Sequence, residues 1–439
     1  MRRTYQSESG QALVLIVLGI VGMLGFAALA IDGGRIYTDR RNMQNASDTS
    51  SLTGAGSFAS YMTQNGIYWK NWSCSDTTSW FVSAKAQAYS DAINRAASNG
   101  YAVDADISDP DGANGITITC GSESHTGFTD YYIDVTTYIT ADTPSSLAQF
   151  VFGGPLRQTV ASTARIRPQT SGGFGNAIVA LNPANCDGNN NGALFDGNNQ
   201  VLLNGGGVFS NGCFRAGGTS LLIDVNSGGT NTYMSNLIIS GSPTINPPPQ
   251  NGTEPLPDDV FTIPPPDCSG LPDATLSNSM NPGVYPASLI PNGNYTMNPG
   301  LYCFNGRFRI NGGTLTGDGV TLYFVSGGFE VQGNPVIDLR APSPVPDPSP
   351  AIPNLLIYLA EGNTSQASLL GNAGSFYAGT VYAPDGSIEV GGTSDATNNP
   401  SYSTQLIGWD VFVHGNAQLD LNFDDALVYQ FPPRLDLQE

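Results

Sequence analysis

The feature that most constrains this chain is a run of 20 uncharged residues, Ala12 to Ile31. A helix rises 1.5 Å per residue, so this run spans the roughly 30 Å hydrocarbon core of a bilayer. Within lipid the backbone must satisfy its own polar groups, and a helix does so. Gly19, Gly22 and Gly25 interrupt the run at a spacing of three rather than the four of a GxxxG dimer motif. Arg2 and Arg3 precede it and favour a cytoplasmic N-terminus, residues 1–11, while Arg35, Arg40 and Arg41 on the other side weaken that vote. The run is longer than a signal-peptide core, and Ala27-Ala28-Leu29-Ala30 makes a poor cleavage site. The expectation is a retained transmembrane helix over 12–31.

Past Asp32 helical spacing continues with no helix breaker from Arg35 to Thr53. One long helix, half in lipid and half out, is expected, with a helical stalk over 32–66 that Gly54-Ala55-Gly56 ends or loosens.

The residues that carry this helix also carry a resemblance. Gly10-Gln11-Ala12-Leu13-Val14, then Gly25 through Tyr37, then Arg41-Asn42-Met43-Gln44-Asn45-Ala46-Ser47-Asp48 resemble the N-terminal segment of TadE/TadG-like proteins. These belong to the Flp (tight adherence) pilus-assembly system. The resemblance covers Gly10 to Ala55 and continues more loosely to about Pro168. It implies a pilin-like membrane anchor, a role in pilus assembly or surface attachment, other pilus-assembly proteins as partners, and no catalysis. Prepilin peptidase substrates carry Gly before the apolar run and Glu five residues after the cut. Gly10 fits the first requirement, but the fifth residue on is Leu15, which argues against processing there.

Residues 67–170 read as a small pilin-like α+β domain. Val82, Ala86, Tyr89, Ile93 and Ala96 recur at spacings of four and three, giving a helix from Ser79 to Asn99 with Gly100 beyond it as a cap. Ile116–Cys120 alternates as a strand, Ile133, Val135 and Ile139 mark a second, and Val160, Ala164 and Ile166 a third. Between the last two, Ser145 caps a short apolar helix from Leu147 to Phe152. This strand, helix, strand order from Tyr132 to Arg167 also resembles the family.

From 171 to 439 the composition shifts. There is no Lys and only Arg215, Arg307, Arg309, Arg340 and Arg434. Short β-prone runs, such as Val201–Leu203, Leu221–Val225, Val320–Val325 and Leu355–Leu359, alternate with turn pairs such as Asn311-Gly312, Gly333-Asn334 and Gly415-Asn416. Gly and Asn supply the positive φ that corners need. The fold class expected is therefore α+β at the N-terminal end followed by an all-β, β-helix (solenoid)-like domain. A β-sandwich is the alternative. Gly300–Cys303 and Gly379–Pro384 resemble the β-helical ectodomains appended to TadG-like anchors. Two Pro-rich stretches, 242–266 and 341–353, read as extended surface excursions.

All six cysteines, Cys74, Cys120, Cys186, Cys213, Cys268 and Cys303, follow the apolar run, and none forms a CxxC. That pattern points to disulfides in an oxidising compartment rather than to zinc. Of the 15 possible pairings, sequence neighbours are expected: Cys74 with Cys120, Cys186 with Cys213, and Cys268 with Cys303. Each would close a loop of roughly 30–50 residues, worth ~3–4 kcal/mol by chain entropy.

Chemistry-bearing motifs are sparse. Asp187, Asn189 and Asn191 with Gly192 match the opening of a calcium loop, but the twelfth position is Asn198 and not Glu. Calcium is thus a possible ligand and no other cofactor is expected. Asp420, Asp424 and Asp425 form an acidic cluster that reads as a solvated face. Arg307, Arg309 and Arg340 lack a nearby Lys or His to serve as a lyase base. Asp318, Glu330 and Asp338 are the carboxylates that a hydrolase would need at set separation. His125 and His414 show no ligand spacing.

With 36 acidic and 16 basic residues, net charge −20, no nucleic-acid partner is expected. The resulting expectation is a non-catalytic, single-pass cell-membrane protein with its bulk extracellular or periplasmic, meeting the membrane, pilus proteins and surface glycans. The alternatives are a membrane-tethered polysaccharide lyase or hydrolase on a β-helix, and an inert envelope spacer.

Overall fold

A computed structural model describes residues 9–72, 74–75, 77–106, 114–145, 154–186, 191–256, 261–393, 399–416 and 418–438, with side chains from Ala12 onward. The helix expected from Leu147 to Phe152 lies outside the described residues.

Helix α1 runs from Ser9 to Gln64, 56 residues. At 1.5 Å per residue it is about 84 Å long. Its two halves meet different surroundings. Leu13, Leu15, Leu24, Phe26 and Leu29 project with more than half their surface open, whereas Met43, Ala46, Ala55, Phe58 and Met62 are buried. The stretch from Met43 onward is thus core rather than stalk.

Gly54-Ala55-Gly56 does not end the helix. A side chain at Gly54 would bring its Cβ to 3.1 Å from both the Ala92 Cβ and a Val135 methyl. Gly54 is the point where α1 comes closest to its neighbours, and the packing it allows outweighs its helix penalty of about 1 kcal/mol.

Helix α2, Ser79–Ser98, buries Phe81, Ala84, Ala88, Ala92 and Ala96. The stripe read from sequence overlaps this face only in part: Ala96 is buried and Tyr89 and Ile93 pack at its margin, but Ala86 is exposed and Val82 is 55% exposed. Small residues at a spacing of four let two helices approach, and this closeness outweighs the larger apolar side chains of the other stripe.

Three antiparallel strands, Gly115–His125, Phe128–Thr143 and Leu156–Arg167, complete the domain. Ile116, Ile133, Val135, Ile139, Val160, Ala164 and Ile166 face the helices and are buried. Polar side chains of α1 are satisfied by this sheet: Ser47 Oγ donates to the Thr137 carbonyl at 2.7 Å and Ser51 Oγ to the Ser162 carbonyl at 2.8 Å. The sheet's outer edge is closed by Arg434–Gln438, which pairs antiparallel with Leu156–Arg167 although it follows the whole β-rich region in sequence.

The rest of the chain is a solenoid-like stack in which every strand pairing is parallel. Leu222 pairs with Gln200 on one side and Thr244 on the other, a repeat of 22 residues. Strands 376–392 and 401–415 are long enough to turn corners between faces. Inward residues form stacked ladders: Phe304 lies 4.8 Å from Phe324, and Tyr377 lies 5.6 Å from Tyr402 with rings 2° apart.

The order of coils is permuted relative to the sequence. The chain enters the middle of the stack at Asn176–Ala180 and advances to one end through 207–210, 231–233 and 250–251. It then returns to the opposite end and climbs from 283–285 through 300–305, 320–326, 355–359 and 376–392 to 401–415. This last strand pairs on its far side with Asn176–Ala180 and Ala193–Gly197, so the final coil lies beneath the first.

The returning segment corrects one expectation. Residues 242–266 are not a free excursion. Thr244–Asn246 and Gln250–Asn251 belong to the end coil, and of the described residues beyond, those to 256 and from 261 form a strap with Leu256, Phe261 and Ile263 buried. Beneath it runs one outward column in strict register, Cys303, Tyr323, Tyr358, Tyr382, Ile407, Val179 and Phe209. The Tyr358 hydroxyl donates to the Ile263 carbonyl at 2.8 Å, and that of Tyr382 donates to the Phe261 carbonyl. A buried phenol needs such a partner, and the strap supplies it. The second Pro-rich stretch, 341–353, is inserted in one coil, stretching the Phe324–Leu359 repeat to 35 residues. Its middle is exposed, and Ala351 anchors it.

Candidate functional site

Two places in the fold hold functional promise: the open half of α1, and a cleft where the α+β domain meets the solenoid. The apolar window within residues 12–64 has a mean hydropathy of 2.8, and none of it is buried in the protein. A helix of this length and composition is compatible with a single-pass anchor. The same helix continues into the α+β core, where Met43, Ala46, Ala55, Phe58 and Met62 are buried.

The cleft has a volume of about 660 Å³. One wall comes from the α+β domain: the short 3-10 helix Trp69–Asn71, Trp72, and the hairpin between the first two long strands. The other comes from Phe174-Gly175-Asn176 and the turns at Gly205 and Ser227–Thr230 of the first coils. Trp69 joins them. Its indole Nε1–H donates to the Thr129 carbonyl, and its ring meets Phe174 edge-on at 5.6 Å. Gly175, at φ +86°, lets that ring settle against the backbone; a Cβ there would sit 3.5 Å from it. Trp72 packs on Tyr131 at 5.7 Å and Trp80 at 6.0 Å. Lys70 lies 3.5 Å from the Gly205 carbonyl and 5.3 Å from the Phe423 ring centroid. Nothing in the sequence marked this cleft, because its lining comes from five separate stretches, 69–72, 125–131, 174–176, 205 and 227–230, that meet only in the fold.

The residues singled out for chemistry are dispersed. Arg309 is paired with Glu330 on the next coil, and Arg340 with Asp338 at 3.0 Å while stacking on Phe376. Arg307 precedes the Phe308–Ile310 strand, and its backbone N–H donates to Ser288 Oγ at 3.2 Å. Asp318 and Asp338 lie in paired strands, 314–318 and 336–340, and Glu330 in a strand that pairs with Phe308–Ile310 instead. His125 pairs with Glu254 at 3.1 Å and stacks on Phe128. His414 pairs with Glu389 at 2.7 Å, and this bond holds the Glu389 carboxyl below its ordinary range. Ser368 also donates to Glu389, so Ser and His both bond the carboxylate rather than each other. That is not the relay a nucleophilic serine needs.

Asp187 and Asn189 lie outside the described residues; Asn191 Nδ2 donates to the Asn185 carbonyl at 3.4 Å. The adjoining Gly192 N–H is held by Asp410, whose carboxyl burial pushes up. The acidic cluster is split: Asp420 accepts from Gln418, Asp424 from the Ala426 N–H, and Asp425 is buried, which raises its carboxyl against the lowering by Ser171 and Lys70. Among the described residues no group of three or more His, Cys, Asp or Glu is placed to hold a metal ion.

The cysteines bond as sequence neighbours: Cys74–Cys120, Cys186–Cys213 and Cys268–Cys303, with Cα separations of 5.6, 5.1 and 6.3 Å. The first staples the α+β domain, the second the entrance coils, the third the strap to the solenoid.

No curated protein and no solved structure matches the chain. The segment that carries the apolar run and the first buried turns of α1, residues 10–57, matches the Tad family model, Flp pilus-assembly TadE/G-like.

Proposed function

We propose that this chain is a non-catalytic, single-pass, membrane-anchored surface protein of the Flp/Tad pilus system that serves assembly and attachment. The observation that carries this reading is the division of α1 inside a Tad-type segment: an apolar half with no protein around it, continuous with a half locked into an ectodomain core. Arg2 and Arg3 support a cytoplasmic N-terminus, against the opposing Arg35, Arg40 and Arg41. Three disulfides favour an oxidising compartment and so support a bulk that lies outside the cytoplasm.

Attachment rests on the solenoid's uncovered polar columns. Asn204, Asn226 and Asn422 bond to one another across coils at 3.0 and 3.2 Å, and Thr296 bonds Thr316 at 3.2 Å. Such columns present regular hydrogen-bonding groups to surface glycans or a neighbouring pilus protein. The non-catalytic reading is supported by the pairing of Arg309 with Glu330 and of Arg340 with Asp338.

Protease treatment of intact cells, or of cells stripped of their outer layers, tests the topology. Loss of everything beyond α1 is expected; a bulk that stays protected overturns the reading. Co-purification of pilus-assembly proteins from solubilised membranes tests the partner. Polysaccharides incubated with the protein should release no new reducing ends.

A further inference from the structure

We propose that the cleft between the α+β domain and the first solenoid coils is a binding site for an uncharged oligosaccharide. This rests on the attachment reading above and gives it a location. At about 660 Å³ the cleft falls in the range of small-ligand sites. Its floor and one wall carry the rings of Trp69, Tyr131 and Phe174; Thr129 and Thr230 add hydroxyls. Ser227 and Gly228 form an exposed lip whose backbone groups face solvent.

Charge decides the ligand class. Among the described residues no Asp, Glu or Arg lines the cleft, and its two basic side chains are engaged, His125 with Glu254 and Lys70 with the Gly205 carbonyl and the Phe423 ring. A chain of charge −20 repels polyanions at a distance. A purely apolar ligand would leave the hydroxyls and peptide groups of the lip without partners. A pyranose has what remains: C–H faces to lie on aromatic rings and hydroxyls to meet amides and threonines. Trp69 is held in place before any ligand arrives, by its bond to Thr129 and its contacts with Phe174 and Gly175. Such preorganisation lowers the entropic cost of binding.

The test uses the full chain in nanodiscs, titrated with neutral trisaccharides of glucose, mannose and N-acetylglucosamine, and with a galacturonate trimer. Tryptophan fluorescence and saturation-transfer NMR are the readouts. At least one neutral series should bind, with sugar C–H protons receiving saturation. Trp69→Ala should weaken it tenfold or more, and Trp69→Phe less. Ser227→Arg, on an exposed turn outside the core, should weaken it tenfold without changing the thermal midpoint. No binding by any neutral series, preference for the uronate, or binding indifferent to both Trp69 and Ser227 changes overturns the proposal. These outcomes do not depend on topology or pilus partners, so the anchor reading stands or falls separately.

Discussion

The two cores of this molecule are built on opposite rules. Between α1 and α2 the contact at Gly54 is made by what is missing, since a Cβ there would meet Ala92 and the Ala88 carbonyl, and only further along does a ring, Phe58, meet Phe81 edge-on at 5.2 Å. In the solenoid it is made by bulk, with Tyr285, Tyr302, Phe304 and Phe324 stacked ring over ring at 4.8–6.0 Å. The backbone spacing explains the difference. Coils in a parallel stack are fixed about 4.8 Å apart by hydrogen bonds, which suits aromatic faces. Helices have no such fixed separation and approach as far as their side chains allow.

Shrinking a ring in the solenoid should hurt most. Phe304→Ala removes a fully buried side chain from the stack, and a loss of about 3–5 kcal/mol is expected in urea unfolding. Enlarging the helix contact should come next. Gly54→Val puts a Cβ 3.1 Å from Ala92 and from a Val135 methyl, with two methyls more to place, and should cost about 1–3 kcal/mol. Equal tolerance of both changes would dissolve the contrast.

A third change probes the seam between the two cores. Asp425 has its carboxyl raised by burial, so the folded state holds a proton more tightly than the unfolded state. Its stabilising share is therefore full below the unfolded value and is lost as pH rises through the folded one. Asp425→Asn should raise the thermal midpoint at pH 7 and flatten its fall between pH 4 and 7. A lowered midpoint at pH 7 would show that Lys70 and Ser171 outweigh burial there.

Smaller still, Asn204→Ala breaks the asparagine ladder at two bonds and should cost about 1 kcal/mol. Last, Val82→Ala should shift stability by less than about 0.5 kcal/mol, because Val82 faces solvent. A loss of 1 kcal/mol or more would restore the face of α2 that the sequence first suggested.

Much of this was legible before any coordinates. The apolar run, the alternation around Ile133 and Val160, and the even cysteine count are local signals, and each has a local cause. The face of α2 was not legible, because large apolar residues outvote alanines in any count, while the geometry of helix contact favours alanines. The return of Arg434–Gln438 to the first sheet and the burial of the strap depend on partners more than 90 residues away. The cleft was hidden because its lining, too, meets only in the fold. Of the candidate site residues, Arg309 pairs with Glu330, and His414 with Glu389, which the sequence did not single out; no spacing rule could announce either pair.

The permuted coil order has a consequence for how this protein can be made. A solenoid threaded in sequence can grow as it emerges, each turn seeding the next. Here the opening turn keeps one bare flank until residues 401–422 arrive to cover it. Synthesis from the N-terminus therefore delivers an unfinished edge first, and the stack closes only once residues 401–422 have followed.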